Sequence, residues 1–421
     1  MPHVTFIGLP SEILEQILFS CDPIDVASFA QVSRLSRELV YNTSDAHFWR
    51  ELYLAQALDD PRTAVTRLGT ARLNIDWRGE LQRIIRARTV VNNIALCRPH
   101  ERCTIIQTLL DMVCNVRPSP YADSDQISDN IEWVKALLGG GYFLHHRRWQ
   151  ISFQEEQLRA HLHTCFGLTH HDTTLMSRTE SRAIVYNLQH YGPQNEYGPY
   201  MMDGSGRVDW VIMQAIHHVL SMHLYDANED EEDDFEYDIF PMSLPYVQSI
   251  IPRGLNLDED EDWADVEGLW QIAYCFMDHR DLLRFNNYDQ ANQGELNYSV
   301  FEGEFEETYR TVDVYFRVIN VEPDPAHPTR PVINYVGEMD GHFTVMGWVK
   351  LTPDNQIRWH FVAGEHGQFV WSGDAIQVGN VRSPFGVCGA WTTVFHDPSD
   401  PIGPFYMQRN YSFDDDYGMR E

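Results

Sequence analysis

The amino-acid sequence predicts an α+β protein, with an N-terminal unit of three short helices, a helical middle layer, and a C-terminal antiparallel β-barrel or sandwich. Apolar residues recur at helical spacing up to about residue 225, and they alternate with polar residues from about residue 265. A strongly acidic segment separates the two patterns. Because 421 residues is long for one domain, we divide the chain into residues 1–60, 61–225, 226–262 and 263–421.

The first predicted helix lies in the stretch "LPSEILEQIL", which begins at Leu9. Proline is tolerated in the first turn of a helix, where its missing N–H has no partner to lose. Isoleucine and leucine then occupy positions 13, 14, 17 and 18 as one narrow stripe, with acidic and amide side chains on the other side. This stripe must be buried against another apolar surface.

Two or three further short helices are predicted in the next forty residues. Asp22 is the N-cap of a helix with Pro23 in its first turn, another short helix surrounds residues 37–40, and an aromatic and aliphatic stripe surrounds Trp49. A unit of this size is too small to bury all of its apolar surface internally. An exposed apolar helical face of this kind indicates a binding surface.

Four sequence blocks in this region carry a family resemblance. They are Leu-Pro-x-Glu-Ile-Leu, Asp-Pro-x-Asp-Val-x-x-Phe, Val-Ser-Arg and Trp-Arg-x-Leu, in this order. Residues 6–54 thereby resemble an F-box, the helical unit that docks on the Skp-type adaptor of cullin-based SCF ubiquitin ligases. The sequence departs from the pattern at Cys21, where leucine is usual, and at Leu35-Ser36, where an aromatic residue is common. The alternative is an ordinary helical bundle packed on its own domain.

The resemblance implies that the chain is a non-catalytic substrate receptor of an SCF-type ubiquitin ligase. A Skp-type adaptor would connect it to a cullin, and its C-terminal β and helical region would recruit a protein substrate. The residues implied in adaptor binding are Leu9, Pro10, Glu12, Ile13, Leu14, Ile17, Leu18, Ile24, Val26, Phe29, Val32, Trp49 and Leu52. Two alternatives are a small-ligand-binding barrel protein, whose F-box serves scaffolding or turnover, and an enzyme whose active site lies in the barrel.

Composition and charge exclude several classes of partner. The formal net charge is −31, whereas proteins that bind nucleic acid or anionic membranes need a basic face. The first residues contain no Lys or Arg, and acidic residues interrupt the first apolar run, so we predict no signal peptide. The seven cysteines are odd in number and contain no Cys-x-x-Cys, which indicates a reducing compartment, the cytosol or the nucleus.

The acidic segment holds 16 Asp and Glu residues between positions 226 and 267, against the single base Arg253. Charge runs of this kind are usually solvated, mobile loops, and the alternative function is an acidic lip for a basic substrate segment. A calcium-binding EF-hand loop is rejected, because Trp263 occupies the position of the required glycine and Leu269 that of the final glutamate.

Between the F-box and the acidic segment, apolar spacing predicts helices near residues 78–97, 102–116, 129–138, 177–191 and 208–224. The fourth of these begins with Ser177 and Glu180 at capping-box spacing. The fifth helix carries His217, His218 and His223, which we interpret as residues of its polar face. Without a fixed repeat length, these helices predict a packed layer.

Alternating residues predict strands near 268–277, 298–306, 311–321, 332–339, 342–351, 356–362, 367–378, 386–396 and 404–409. Eight or nine antiparallel strands suffice for a closed barrel or a sandwich. Gly268-x-Trp270 is similar to the first strand of lipocalin-like barrels, and residues 347–405 resemble the tail of a large group of fungal F-box proteins. Four tryptophans are predicted to fill the barrel, and one or two at its mouth could hold a ligand or substrate: Trp348, Trp359, Trp371 and Trp391.

The stretch "HLHTCFGLTHHD" contains side chains that can bind a metal ion: His161, His163, Cys165, His170, His171 and Asp172. Zinc needs four ligands in tetrahedral geometry, and only His161 and Cys165 share a helical face. Surface or hydrogen-bonded core histidines are the favoured interpretation. The sequence contains no nucleophile elbow, no phosphate-binding loop and no dinucleotide fingerprint after a strand. We therefore predict no catalytic residue, no cofactor and no metal.

Overall fold

The computed structural model describes residues 9–42, 46–121, 126–145, 150–226, 239–288, 295–302, 305–339 and 343–411. The helices are α1 (Ser11–Phe19), α2 (Pro23–Phe29), α3 (Arg34–Tyr41), α4 (His47–Leu54), α5 (Trp77–Asn92), α6 (Arg102–Cys114), α7 (Asp129–Leu138), α8 (Phe153–Phe166), α9 (Leu175–Val185), α10 (Trp210–Asp226) and α11 (His279–Phe285). The strands are β1 (Gly268–Met277), β2 (Glu307–Glu322), β3 (Val332–Met339), β4 (Phe343–Leu351), β5 (Ile357–Glu365), β6 (Gln368–Gln377), β7 (Val387–Thr393) and β8 (Gly403–Arg409). The predicted α+β class is confirmed.

Side-chain caps start several of these helices. The Asp22 carboxylate accepts a hydrogen bond from the Ile24 N–H at 2.8 Å, as the sequence predicts. At α9, however, Thr174 is the N-cap, and its hydroxyl accepts from the Ser177 N–H. The predicted start at Ser177 is therefore wrong by one turn, because the preceding threonine offers the same capping oxygen. Within the described residues, no helix has the length and apolar composition needed to cross a bilayer.

The eight strands form a closed antiparallel barrel in which every strand pairs with its neighbours in sequence and β1 pairs with β8. Trp270 in β1, for example, lies opposite Val314 of β2 on one side and Arg409 of β8 on the other. Closure gives each strand a hydrogen-bonded neighbour on both sides, so no edge is left to recruit another chain. The structure thus decides for a barrel and against a sandwich.

One predicted strand is a 3-10 turn, at Tyr298–Glu302. The Asn297 side chain accepts hydrogen bonds from the backbone and the hydroxyl of Ser299, and such local bonds compete with strand pairing. Phe301 then packs against Phe285 of α11, a helix that the sequence analysis did not predict. The apolar residues of this segment cover a helix instead of joining the sheet.

Aromatic rings and glycines fill the inside of the barrel together. Trp359 and Tyr335 are fully buried there. Gly347 pairs with Tyr335 across β3 and β4, and a Cβ atom at Gly347 would stand 2.6 Å from the Tyr335 ring and 2.2 Å from the His360 carbonyl oxygen. Glycine has no side chain, so the tyrosine ring occupies the space that a Cβ atom at position 347 would need.

The described part of the acidic segment closes one end of the barrel. Trp263 is completely buried in the barrel core, and its indole N–H donates to the Pro331 carbonyl at 2.9 Å. Around it, Arg330 pairs with Asp258 at 2.7 Å, and Arg382 pairs with Asp260. Asp258, Glu259 and Glu261 are exposed, as expected of a solvated segment, whereas Asp260 and Asp262 are half-buried beside the barrel. Residues 227–238 lie outside the described part.

The helical layer packs on the outer wall of the barrel. α10 contacts β7 and β8, and Cys275 of β1 and Tyr406 of β8 belong to the same buried apolar cluster as the helices. At the border, Glu307 is 2% exposed and receives hydrogen bonds from Arg182 at 3.0 Å and His223 at 2.9 Å. Burial alone would raise the pKa of Glu307, but the His223 hydrogen bond and the Arg182 charge hold it below its ordinary value.

We expect Gly347→Ala to lower the free energy of unfolding by about 1–3 kcal/mol, because the added methyl group overpacks the barrel interior. Urea denaturation of the full chain measures this change. Gly140→Ala is the matched control, since no described atom stands within 4 Å of its Cβ position, and we expect a change within about 0.5 kcal/mol. Equal effects of the two substitutions would contradict the interior role of Gly347.

We expect Glu307→Gln to destabilise the protein at pH 7 by about 3–5 kcal/mol, because it leaves Arg182 and His223 without their carboxylate. A depressed pKa in the folded state means that the contribution is present above the ordinary glutamate pKa and is lost as the pH falls. Urea midpoints of wild type and variant should therefore differ by a constant amount above about pH 5 and approach each other only as the pH falls below the ordinary glutamate pKa of about 4.3. Midpoints that already coincide at pH 6 would contradict this assignment.

Candidate functional site

The apolar residues of α1 divide between an inner row and an outer row. Leu14 and Leu18 are 6% and 3% exposed, and Leu18 belongs to the same buried cluster as Phe48 of α4. Ile13 and Ile17, which neighbour them in the chain, are 49% and 38% exposed. Successive helical residues point about 100° apart, so the two rows face different surroundings. Only the inner row is covered by this chain.

The same division continues through α2 and α3. Val26 and Val40 are buried, whereas Ile24, Val32 and Leu35 are exposed. We call the exposed residues of the three helices and their connections the outer set: Ile13, Ile17, Ile24, Val32 and Leu35. Five of the twenty large apolar side chains that are exposed in the described residues thus lie within positions 13–35. This density is far above what scattered surface apolar residues produce, and it indicates an interaction surface.

The predicted adaptor contacts therefore fall into three groups. Those that this chain itself buries are Leu14, Leu18, Val26, Trp49 and Leu52; those that are half-buried are Leu9 and Phe29; those that are exposed are Pro10, Glu12, Ile13, Ile17, Ile24 and Val32. The prediction that all of them form one adaptor-facing stripe is wrong, because the first group is buried within this chain. Sequence reasoning also missed Leu35, which it noted only as a departure from the F-box pattern.

The F-box helices are held on the helical layer. The guanidinium of Arg78 in α5 lies 4.7 Å from the Tyr41 ring centre and 5.6 Å from that of Trp49. Arg88 of α5 forms an ion pair with the Asp22 carboxylate at 2.8 Å. The outer set thus belongs to a unit that α5 supports.

Four half-buried aromatic side chains and one methionine mark the end of the barrel opposite Trp263. We call this group the aromatic end: Tyr274, Met339, Phe343, Trp371 and Trp391. These residues lie near the ends of β1, β3 and β7 and near the starts of β4 and β6. In an antiparallel barrel, these strand ends and starts meet at one end. Trp371 and Trp391 contact each other edge to face, with ring centres 5.3 Å apart. A concave, apolar site with aromatic walls can take a side chain or a small molecule.

The other two predicted tryptophans lie elsewhere. Trp359 fills the middle of the barrel, 5.0 Å from Trp270. Trp348 is not inside, because Val345, Val349 and Leu351 take the inward positions of β4. It stacks on His360 on the outer face, at 5.0 Å between ring centres. The prediction that Trp348 fills the barrel is wrong.

A third candidate is a cavity of about 440 Å³ between α8, α9 and α10. His163 Nε2 lies 2.9 Å from Asp172 Oδ2, and His145 Nε2 lies 3.9 Å from the same oxygen. The Thr169 N–H and hydroxyl both donate to this carboxylate at 2.7 Å. Burial alone would raise the pKa of Asp172, but the neighbouring His163 charge and these hydrogen bonds hold it well below its usual range.

The structure thus unites two residues of the histidine-rich stretch with His145, which sequence reasoning missed because it follows a different helix. His161 stacks on Trp210 with ring centres 3.5 Å apart and contacts Arg67, so it does not reach the cluster. Burial raises the pKa of Cys165 to about 12. His170 is exposed, whereas the His171 ring lies 4.3 Å from that of His145.

The three histidines of α10 are not residues of a solvated face, which corrects their interpretation. His217 donates to the Met242 carbonyl and His218 donates to the Asp172 carbonyl, each at 2.9 Å, and His223 contacts the Glu307 carboxylate. A carbonyl only accepts, so the contacting nitrogens of His217 and His218 carry the proton. Burial lowers the pKa of His217 to about 4. These side chains are satisfied core histidines.

Comparison with known proteins assigns the first of these three candidates. The F-box domain family matches residues 6–45, which include α1, α2, α3 and all of the outer set. No curated protein and no solved structure matches the chain. F-box domains typically bind a Skp-type adaptor and so link to a cullin, and F-box proteins are in general non-catalytic subunits of ubiquitin ligases. The chain therefore carries an F-box domain at residues 6–45, and the outer set of this domain is not covered by the described residues.

Proposed function

We propose that this protein is a substrate receptor of an SCF-type ubiquitin ligase. Its outer set docks the Skp-type adaptor, and the aromatic end of its barrel receives a protein substrate. The observation that carries the proposal is the exposure of the outer set within a matched F-box, while Leu14 and Leu18 are packed on their own chain. The chain itself contributes binding and no chemistry to the ubiquitin transfer.

The size of the outer set fits a specific complex. A fully buried isoleucine or leucine side chain contributes about 1.5–3 kcal/mol relative to an exposed one. Five such side chains supply a free energy of the order needed for a micromolar complex, about −8 kcal/mol, after association entropy offsets part of it. The inner row contributes to this indirectly, because it keeps the outer row in place.

The aromatic end is favoured for the substrate because the other barrel end and one wall are already covered. Trp263 closes the opposite end, and α10 covers β7 and β8. Aromatic side chains are enriched at the centres of protein interfaces, where they give large contact areas at small entropic cost. The guanidinium of Arg310 lies 5.8 Å from the Phe276 ring, which adds a cation near this end. An acidic or apolar peptide segment is the substrate feature that such a site accepts.

A second candidate function is the binding of a small molecule at the aromatic end. Trp371 and Trp391 are half-buried inside the barrel wall, so they could enclose a small apolar ligand, with the F-box serving for scaffolding or turnover. For either function we propose a cytosolic or nuclear location. The seven cysteines are free thiols, which is typical of a reducing compartment.

We expect Ile13→Ala plus Ile17→Ala to reduce the affinity for a Skp-type adaptor at least tenfold, because it removes about 1.4 kcal/mol or more of burial from the interface. Calorimetric titration of the full chain with purified adaptor measures the loss. The melting temperature should stay unchanged, since both side chains are exposed in the isolated chain. Leu73→Ala plus Leu96→Ala is the matched control, with two exposed leucines outside the F-box and no expected loss.

Substitutions in the inner row should instead lower the stability of the protein. Leu18→Ala leaves a cavity beside Phe48 and should lower the free energy of unfolding by about 2–5 kcal/mol. If Leu18→Ala abolished adaptor binding without any loss of stability, or if Ile13→Ala plus Ile17→Ala bound as tightly as wild type, the division into inner and outer rows would be wrong.

We expect Trp371→Ala to lose substrate capture while adaptor binding is kept, because this ring faces the aromatic end and lies far from the F-box in the chain. Proximity labelling in cells with a blocked proteasome measures capture through labelled, ubiquitylated proteins. Trp348→Ala is the matched control on the outer barrel face. An unchanged set of labelled proteins with Trp371→Ala would contradict the assignment, and a metabolite that copurifies with wild type alone would favour the second function.

A further inference from the structure

We propose that His145, His163 and Asp172 form a binding site for one divalent transition metal ion, with Zn²⁺ as the best-matched ion. This site is independent of the F-box, and the inference does not rest on the proposed ligase function. It corrects the expectation of no metal that the sequence alone supports. The argument starts from how these three side chains are brought together.

The three residues come from separate elements and converge on one point. His163 projects from α8, Asp172 lies in the connection between α8 and α9, and His145 follows α7. Their candidate ligand atoms all lie within 4.8 Å of one another. His163 and Asp172 are buried and His145 is half-buried. Such convergence of two imidazoles and a carboxylate in the interior requires a compensating proton or a cation.

The spacing of the ligand atoms fits a metal centre. Bonds of about 2.0–2.2 Å from zinc to nitrogen and oxygen place neighbouring ligand atoms about 3.3 Å apart in a tetrahedron. The distances to Asp172 Oδ2 are 2.9 Å from His163 Nε2 and 3.9 Å from His145 Nε2, which bracket this value. Movements of less than about 1 Å in side chains would complete the arrangement.

A second layer of hydrogen bonds holds the ligands in position. The Gln214 side-chain amide lies 2.7 Å from His163 Nδ1, so the Nε2 atom of this ring faces Asp172. Metal-binding histidines almost always have such a partner on the ring nitrogen that does not bind the metal. The Thr169 backbone N–H donates to the Asp172 carboxylate at 2.7 Å. The Thr169 hydroxyl lies 2.7 Å from His145 Nε2, the nitrogen that would bind the ion, so it competes with the metal for this atom. For ligation, the Thr169 hydroxyl turns away from His145, and His163 Nε2 gives up its proton to solvent.

The chemistry of the set selects the class of ion. Two imidazole nitrogens and one carboxylate suit zinc and the neighbouring divalent transition metals, whereas calcium and magnesium prefer oxygen ligands. All three residues line the cavity of about 440 Å³, which leaves room for water or a small anion as a further ligand. Three protein ligands and an open position are typical of zinc sites that bind or react, and structural zinc sites are closed by four.

The test uses the full chain after removal of metal with a chelator. Calorimetric titration with Co²⁺, followed by visible absorption of the bound ion and by displacement with Zn²⁺, should give one site per chain. His145→Gln, His163→Gln and Asp172→Asn should each weaken Co²⁺ binding at least tenfold. Gln214→Leu should weaken it roughly 10- to 100-fold through loss of the second hydrogen-bond layer.

His360→Gln is the matched control. His360 also contacts an aspartate, Asp374, at 2.9 Å, but on the outer barrel face, so this variant should bind Co²⁺ as wild type does. His145→Gln separates loss of metal binding from loss of folding. The His145 side chain is 21% exposed, so this substitution should leave the circular dichroism spectrum unchanged. The acidic segment is the same in all variants and gives an equal background.

Two outcomes overturn the proposal. The first is wild-type protein that shows no saturable Co²⁺ or Zn²⁺ binding above the His145→Gln background. The second is His145→Gln or Asp172→Asn that folds and binds Co²⁺ with wild-type affinity. In either case, the cluster is a proton-bearing ion pair between His163 and Asp172.

Discussion

The packing of the helical layer on the outer wall of the barrel is the contact on which the whole structure depends. One continuous apolar cluster extends from Leu18 in α1, through the central helices, to Cys275 and Tyr406 on the barrel wall. Small residues on this wall, such as Ala273 and Ala390, allow close contact with the helices. The cluster covers one wall of the barrel and the inner side of the F-box, so partners bind these two parts of the protein on their other surfaces.

The barrel end closed by Trp263 shows how a strongly charged segment can belong to a core. An uncompensated carboxylate in the interior would be neutralised or expelled. Here Arg330, Arg382 and Arg409 approach Asp258, Asp260 and Asp265, so the charges are paired at the rim while the indole ring enters the barrel. Burial raises the pKa of Asp262 to about 6, because this carboxylate has only backbone N–H donors as close partners.

The F-box and the histidine cluster both place side chains next to free space. The outer set has no apolar cover within the described residues, and the cluster of His145, His163 and Asp172 lines a cavity of about 440 Å³. His217, in contrast, is buried in the core, where it donates to a carbonyl oxygen.

Local patterns in the sequence determined most of the helices and strands and the F-box, because helical and strand periodicities and caps depend on residues close in the chain. They left barrel and sandwich open and could not tell which of Ile13 and Leu14 this chain covers, since periodicity shows which residues share a face and not what covers that face. Tertiary structure alone decided the burial of the inner row, the entry of Trp263 into the barrel, and the meeting of His145 with His163. Each of these depends on contacts between segments far apart in the sequence, whose free energy no local pattern contains.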